Sequence, residues 1–332
     1  MLYVRADGNK KIGMGHIMRC LAISGEVLRK NEDVTFLIAS DEPADVLKEA
    51  GIPYIILDTD YRDMLSERER LSKIFTSGEK ILVDSYFVTA QYLEFLKQYG
   101  KVFYMDDVHA FAYPADVIIN GNIYGDREDY QAVTVLGGCK YSPLRREYQS
   151  AKKERKPEKI LLTTGSSDPY RLTEKILHAM LQNEVLRACP IDVVCGKFSE
   201  SYETLLKMEE QFSNIKVYRN VPAMWELMKS AMLAITAGGT TMTELSCMGV
   251  PIVCFSFAEN QDRVVKTFVE DGYAHFGGFY SKKGEALVAE LCQAAQELVL
   301  DENLRNSYAT KLMELVDGKG CERIADTIVC HN

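Results

Sequence analysis

The fold is decided by the amino-terminal stretch Leu2-Tyr3-Val4-Arg5-Ala6-Asp7-Gly8-Asn9-Lys10-Lys11-Ile12-Gly13-Met14-Gly15-His16-Ile17-Met18-Arg19. Its first apolar run, Leu2–Val4, is typical of a buried strand. A loop follows in which Gly13 and Gly15 permit tight backbone geometry. A helix is predicted to begin near His16, because apolar residues recur at helical spacing beyond it. The order strand, glycine loop, helix is that of an α/β domain with a parallel sheet.

Short apolar runs alternate with helical patterns along the rest of the chain. In the first half, the predicted strands are Leu2–Val4, Val34–Ala39, Tyr54–Leu57, Ile81–Val83, Val102–Met105 and Val117–Ile119. In the second half, they are Ile160–Thr163, Ile191–Val194, Ile215–Tyr218, Leu233–Ile235 and Ile252–Phe255. A charged segment around Pro157 separates the two halves and predicts an exposed linker. We therefore expect an α/β protein of two Rossmann-like domains facing across a cleft, with domains at 1–149 and 159–332 and a linker at 150–158.

Composition narrows the class of protein. Hydrophobic residues make up 47% and charged residues 26% of the 332 residues, which argues against a disordered, collagen-like or coiled-coil chain. The formal net charge of −9 argues against a nucleic-acid-binding protein. The nine cysteines are odd in number and include no Cys-x-x-Cys pair, as expected of reduced, buried thiols in a cytoplasmic protein. We expect no membrane span, since no apolar run reaches about 18 residues, and no signal peptide, since the first residues lack a basic region followed by an apolar core.

The first glycine loop carries residues suited to chemistry. Free N–H groups at such a helix start attract anions, although a plain tight turn would look the same. An imidazole at position 16 could accept a proton from water. Arg19 lies three residues later on the same helical face, where it could contact a substrate, hold a carboxylate or remain solvated.

Two adjacent acids, Asp106 and Asp107, follow the predicted strand Val102–Met105. They could be paired acid groups, or could form a metal site together with His109. Two acids at a strand end could equally cap a turn or a helix.

The second half contains two glycine turns between a strand and a helix. The turn at Gly165-Ser166 offers N–H groups and hydroxyls to a phosphate, while Asp168 is expected to cap the following helix. The segment Gly238-Gly239-Thr240-Thr241 is a stronger phosphate cradle, and Glu244 lies one helical turn further on, where it could bind a ribose diol. The alternative is a helix capped by threonine with an acid in its first turn.

The loop Gly13–Arg19, preceded by Arg5-Ala6-Asp7, resembles the entry loop of the nucleotide-sugar hydrolases of pseudaminic acid biosynthesis. These enzymes act on UDP-2,4-diacetamido-2,4,6-trideoxy-β-L-altropyranose. The resemblance extends over most of the chain through Asp84-Ser85-Tyr86, Met105-Asp106-Asp107, Ile119-Asn120-Gly121-Asn122 and Gly138–Tyr148. The family is similar in fold to GT-B glycosyltransferases and to spore-coat polysaccharide proteins. This implies a carboxy-terminal helix that crosses back to the first domain.

The resemblance implies a role for each matching residue. His16 is implied to be the general base. The first domain is implied to bind the sugar through Arg5, Asp7, Gly13, Gly15, Arg19, Tyr86, Asn122 and Arg145. The second domain is implied to bind UDP through Gly165, Ser166, Gly238, Gly239, Thr240, Thr241, Glu244, Asn260 and Gln261.

The expected reaction is hydrolysis of a UDP-linked diacetamido-trideoxy sugar, in which a water activated by His16 displaces UDP with inversion. The resemblance implies neither a metal nor another cofactor. Two alternatives remain open. One is a GT-B glycosyltransferase of surface or spore-coat polysaccharide, in which His16 would activate an acceptor hydroxyl. The other is a nucleotide-sugar binding protein without catalysis.

Overall fold

The computed structural model describes residues 1–131, 134–165, 168–196 and 199–330, and it divides into two compact units. The first unit contains Met1–Arg145 and the described part of Gly318–Asn332, and the second contains Arg146–Asp317. Among the described residues, no helix combines the length and the apolar character that a bilayer crossing requires.

The first unit is built on one parallel sheet. Its strands are β1 (Leu2–Ala6), β2 (Val34–Ile38), β3 (Tyr54–Ile56), β4 (Glu79–Asp84), β5 (Gly100–Met105), β6 (Val117–Asn120) and β7 (Thr134–Gly137). Its first helices are α1 (Gly15–Arg29), α2 (Ala44–Glu49), α3 (Arg68–Ile74) and α4 (Ala90–Lys97). Within the described residues, the strand order is β3-β2-β1-β4-β5-β6-β7. Apolar cores cover both faces of the sheet, so the central strands show continuous apolar runs in the sequence.

The second unit repeats this plan. Its strands are β8 (Lys159–Thr163), β9 (Ile191–Cys195), β10 (Ile215–Arg219), β11 (Ala231–Ala237), β12 (Ile252–Ser256) and β13 (Phe276–Phe279). Its helices are α5 (Glu147–Ala151), α6 (Leu172–Gln182), α7 (Tyr202–Gln211), α8 (Met224–Ser230), α9 (Thr240–Met248), α10 (Glu259–Glu270), α11 (Tyr280–Lys283), α12 (Ala286–Leu300) and α13 (Glu302–Leu315). Across its described part, the parallel strands follow the order β10-β9-β8-β11-β12-β13.

The last helix, α14 (Gly320–Cys330), belongs to the first unit. Its apolar face, which includes Ile324 and Ile328, lies in the same core as helix α1. Its first residue, Gly320, approaches Ser142 so closely that a Cβ atom there would overlap the Ser142 carbonyl oxygen. The closing helix therefore returns to the first domain, as the sequence predicts.

The unit boundaries differ from the predicted 1–149, 150–158 and 159–332. Residues 146–158 belong to the second unit, and the chain from Gly318 onward belongs to the first. The predicted linker is held by Arg155, whose guanidinium donates to the carbonyl oxygens of Ala231 and Gly249 at 2.6 Å each. Most of the segment is exposed, as its charged composition predicts, while the Arg155 side chain reaches into the unit. Burial lowers the pKa of Arg155 to about 10.

Candidate active site

A hydrogen-bonded pair, His16 and Asp84, lies at the carboxyl end of the first sheet. Strands β1 and β4 are neighbours, with Ala6 opposite Asp84, and helix α1 begins just beyond β1. This topology brings the His16 ring to the end of β4, where Nδ1 lies 2.6 Å from Asp84 Oδ1. Both side chains are buried, and His16 is only 5% exposed. Because an ionised carboxylate only accepts, Nδ1 carries the proton in this pair and Nε2 keeps a lone pair that can take a proton.

Arg19 extends the pair into a network. Its Nε and Nη2 atoms donate to the two oxygens of Asp84, at 2.5 Å each. Its Nη1 atom donates to Asp107 Oδ2 at 2.7 Å. Burial alone would raise the pKa of Asp84, but Arg19 and His16 outweigh that effect and hold the pKa well below its usual range. Asp84 is therefore ionised at neutral pH.

Two further predicted residues, Tyr86 and Asn122, meet at Asp107. The Tyr86 hydroxyl donates to Asp107 Oδ2 at 3.3 Å, and the Asn122 amide donates to Asp107 Oδ1 at 3.1 Å. The Tyr86 ring stands edge-on to the His16 ring, with centroids 4.6 Å apart, and the residue is 56% exposed. Burial of the phenol and the nearby Asp107 raise the pKa of Tyr86 to about 12, so the hydroxyl remains a donor at neutral pH. Tyr86, Asp107 and Asn122, which follow strands β4, β5 and β6, thus form one polar cluster.

The neighbouring acid, Asp106, has a different environment. It is buried and accepts hydrogen bonds from the backbone of Val108 and His109 and from the hydroxyls of Tyr113 and Tyr130. These contacts fix the turn after β5, which is the capping alternative that the sequence left open. His109 points to Glu128, with Nδ1 and Oε2 2.5 Å apart. Over the described ranges, no three His, Cys, Asp or Glu side chains lie close enough to hold a metal ion.

Arg5 and Asp7 are interior residues. The Arg5 guanidinium is 0% exposed and donates to Glu67 and to Asp7, so it offers no surface to a sugar. Asp7 is buried too, and it accepts the backbone N–H of Ala39 at 2.8 Å. The predicted sugar contacts of these two side chains have no support in this conformation. The resemblance identified their positions, but it carried no information on burial.

The remaining first-unit positions lie at its periphery. Gly13 has a φ of +75° and closes a short loop by exchanging backbone hydrogen bonds with Asn9. Gly15 is the first residue of helix α1. Arg145 is half-buried at the end of the first unit.

In the second unit, a glycine turn joins β11 to α9. Gly239 and Thr240 are exposed, and among the described residues no side chain caps the start of α9. A Cβ atom on Gly238 would lie 2.8 Å from Val265 Cγ2, which explains why glycine is needed there. Thr241 and Glu244 are half-buried on the same helix. The turn has the form of an anion cradle.

The other residues predicted to bind the nucleotide differ in their exposure and in whether their side chains are already hydrogen-bonded. Asn260 is exposed in the first turn of α10, whereas the Gln261 side chain already accepts the N–H of Phe257 at 3.0 Å. Gly165 is exposed with a φ of +86°, and Ser166 lies outside the described residues. Asp168 accepts the N–H groups of Leu172 and Thr173 in the first turn of α6, although the helix begins three residues later than predicted, with Arg171 at its N-cap position.

Sequence reasoning missed the role of Asp84. It quoted this residue only as part of the segment that contains Tyr86. The available signal was its place at the end of Ile81–Val83, a predicted strand, because carboxyl ends of neighbouring parallel strands meet at one edge of a sheet. Cys20 was also missed; its thiol donates to Asp84 Oδ2 at 3.5 Å.

The two parallel-sheet domains and the returning helix define a GT-B-like fold, which confirms the predicted fold class. The structure of MurG from Acinetobacter baumannii matches with a TM-score of 0.70 and 15% identity, covering 99% of each chain. The spore coat polysaccharide biosynthesis protein SpsG of Bacillus subtilis is 28% identical over 331 residues, which are 96% of this chain and 95% of that protein. An uncharacterized protein of Methanocaldococcus jannaschii is 29% identical over 271 residues, 74% of this chain; the match spans 54% of that longer protein. No family model matches the chain.

Proposed function

We propose that this protein is an enzyme that transfers a glycosyl group from a nucleoside diphosphate sugar to an acceptor hydroxyl, with His16 as general base. The observation that carries the proposal is the hydrogen bond between His16 Nδ1 and Asp84, which leaves Nε2 able to take a proton. The GT-B-like fold and the name of the B. subtilis relative, which the chain matches over almost its whole length, support transfer to a polysaccharide. The narrower resemblance to the pseudaminic acid hydrolases stays a prediction.

The chemistry follows from the residues at hand. His16 Nε2 takes the proton of the acceptor hydroxyl while the oxygen attacks the anomeric carbon. The bond from that carbon to the diphosphate oxygen breaks, and its electron pair leaves with the nucleoside diphosphate. Asp84 stabilises the imidazolium that forms, as a carboxylate does beside any catalytic histidine. A single displacement of this kind inverts the anomeric centre.

We assign the nucleotide to the second unit. The N–H groups of the turn Gly238–Thr241 would bind the diphosphate and stabilise the charge that develops on it. Glu244, on the same helix, would bind the ribose. UDP is the nucleotide that we expect.

Hydrolysis is the second candidate, because His16 is only 5% exposed and the Tyr86 ring lies against it. A base with so little accessible surface favours a nucleophile as small as water. The same proton transfer would then release a free sugar.

The deciding experiment measures UDP release from a panel of UDP-sugars, with and without candidate acceptors, in buffer containing a chelator. Release that depends on an acceptor supports transfer, and release in water alone supports hydrolysis. His16→Asn should lower turnover by roughly 10²-fold or more, the usual contribution of a positioned base. His178→Asn, on the exposed side of α6, is the matched control. Equal turnover in the His16 and His178 variants would show that His16 is not the base. If no UDP is released from any sugar, the protein would be a nucleotide-sugar binding protein without catalysis.

A further inference from the structure

Arg19 is shared between two carboxylates that come from different strands. Its Nε and Nη2 atoms form a fork on Asp84, at 2.5 Å each, and Nη1 reaches Asp107 at 2.7 Å. All three of its nitrogens are thus already engaged, and the side chain is only 17% exposed. Bidentate pairing of this kind fixes both partners in one plane.

Asp84 depends on this fork more than on any other contact. Its side chain has no exposed surface, so a charge there must be compensated within the protein. Its other contacts are the His16 ring at 2.6 Å and the weak Cys20 thiol donor at 3.5 Å. Neither is a permanent cation, so neither can replace the guanidinium.

We propose that Arg19 is a positioning residue, which holds Asp84 ionised and aligned against His16 and does not bind the substrate. The inference deepens the proposed function, because it rests on His16 being the base. Arg19 Nη2 also lies 3.3 Å from His16 Nδ1, but that nitrogen already pairs with Asp84 at 2.6 Å, so Arg19 acts on the ring through Asp84. Without the guanidinium, the buried carboxyl takes up a proton at higher pH. A protonated Asp84 no longer stabilises the imidazolium or selects the Nδ1–H tautomer.

The charge environment of Asp84 supports this assignment. The titratable groups that face it are His16, Arg19 and Cys20 from α1, Tyr86 from the loop after β4, and Tyr104 and Asp107 from β5 and the loop after it. Of these groups, Arg19 alone is always positive. Burial would raise the pKa of Asp84. Arg19 and His16 both lower it, and the contribution of Arg19 is the larger of the two.

The first test does not need enzyme activity. Carbon NMR of the full chain labelled at the aspartate carboxyls, with the Asp84 signal assigned from Asp84→Asn, follows the protonation of this residue. In the unsubstituted protein Asp84 should not titrate above pH 4, and in Arg19→Gln it should titrate at a distinctly higher pH. Asp107→Asn removes the other partner of Arg19 but keeps the fork on Asp84, so the Asp84 titration should not move. Arg62→Gln breaks an exposed ion pair of the same unit and controls for loss of an arginine.

The second test is the pH profile of kcat/KM. In Arg19→Gln the acidic limb should move to higher pH, so that the loss is about tenfold or more at low pH and much smaller above the limb, since each unit of displacement is a factor of ten. Arg19→Lys keeps a cation and should restore part of the profile; it also keeps the test open if the glutamine variant does not fold.

The outcomes separate this inference from the proposed function. An Asp84 carboxyl that does not titrate between pH 4 and 9 in Arg19→Gln overturns the inference, as does a higher KM with an unchanged kcat profile, which would mark a substrate contact. A shifted Asp84 titration in a protein that releases no UDP would support the inference about Arg19 and overturn the role of His16.

Discussion

Replacing Glu67 by Gln should destabilise the first unit strongly, because Glu67 holds a buried cation. Arg5, in the central strand β1, has no exposed surface. Its Nε donates to Glu67 Oε2 at 2.8 Å, and its Nη1 donates to Asp7 at 2.5 Å. Arg5 Nη2 also donates to Glu67, and the Tyr92 hydroxyl donates to Glu67 Oε2 at 2.9 Å. A neutral amide at position 67 would remove one of the two negative charges that compensate the guanidinium. Its NH2 group, which is a donor, would also face the N–H donors of Arg5.

The magnitude follows from this geometry. Breaking a buried ion pair by removing one partner costs about 3–5 kcal/mol. We expect about 3 kcal/mol here, at the lower end of that range, because Asp7 still compensates the guanidinium. For a unit of this size, each kcal/mol lowers Tm by about 2–4 °C, which gives a fall of roughly 6–12 °C. A loss of about 3 kcal/mol is a large part of the 5–15 kcal/mol by which domains are usually stable.

The two units can be followed separately. Trp225 is the single tryptophan and lies in the second unit against Tyr148, so its fluorescence reports on that unit. Hydrogen exchange of peptides from β1 and β4 reports on the first unit, and 3 kcal/mol corresponds to exchange faster by about 10²-fold. Glu69→Gln, which breaks an exposed pair with Lys73, is the control and should leave the stability almost unchanged. If Glu67→Gln behaves like this control, Arg5 is not a core ion pair, and its predicted contact with the sugar becomes the better explanation.

Three other outcomes are expected. Asp84→Asn should lower turnover by roughly 10²–10⁴-fold, because His16 loses the group that fixes its tautomer, while calorimetry should find UDP affinity unchanged; an active variant would contradict the pair. Gly238→Ala places a methyl group 2.8 Å from Val265 Cγ2, so we expect a loss of about 1–3 kcal/mol in thermal unfolding together with weaker UDP binding, and unchanged UDP affinity would move the nucleotide away from this turn. Cys330 is the one exposed thiol among the nine cysteines, so a thiol reagent at pH 8 should modify one group quickly in the native protein and all nine in denaturant; several fast groups would contradict the burial of the others.

The central strands were predictable because burial on both faces leaves a continuous apolar run. Every predicted run overlaps a strand of the observed sheets, with ends that differ by at most about two residues. The sequence did not reveal β7 or β13, which are edge strands of their sheets. β13 is Phe276-Gly277-Gly278-Phe279, and its two glycines read as a turn. Gly278 is required there because a Cβ atom would overlap the Leu287 side chain, and no local sequence pattern encodes that contact.

The candidate base was predictable for a local reason, and its partners were not. His16 stands where a strand, a glycine loop and a helix meet, all within one short segment. Asp84 follows it by 68 residues and Asp107 follows Arg19 by 88, so their contacts exist only after β1, β4 and β5 are neighbours in the sheet. Arg5 is the converse case: its local segment suggested a sugar contact, whereas its partner Glu67 lies 62 residues away in a single turn of 3-10 helix.

Asp106 and Asp107 look equivalent in the sequence but have different environments in the structure. Both residues lie beyond Met105, the last residue of β5, where the chain turns, and their side chains have different partners. Asp106 turns inward and is satisfied by backbone N–H groups and two phenols, which is a structural role. Asp107 turns toward Arg19, Tyr86 and Asn122 and remains partly accessible. A paired-acid function would require both carboxylates to face one substrate atom. Because their partners separate them, the proposed chemistry involves Asp107 and the His16–Asp84 pair, while Asp106 holds the turn after β5.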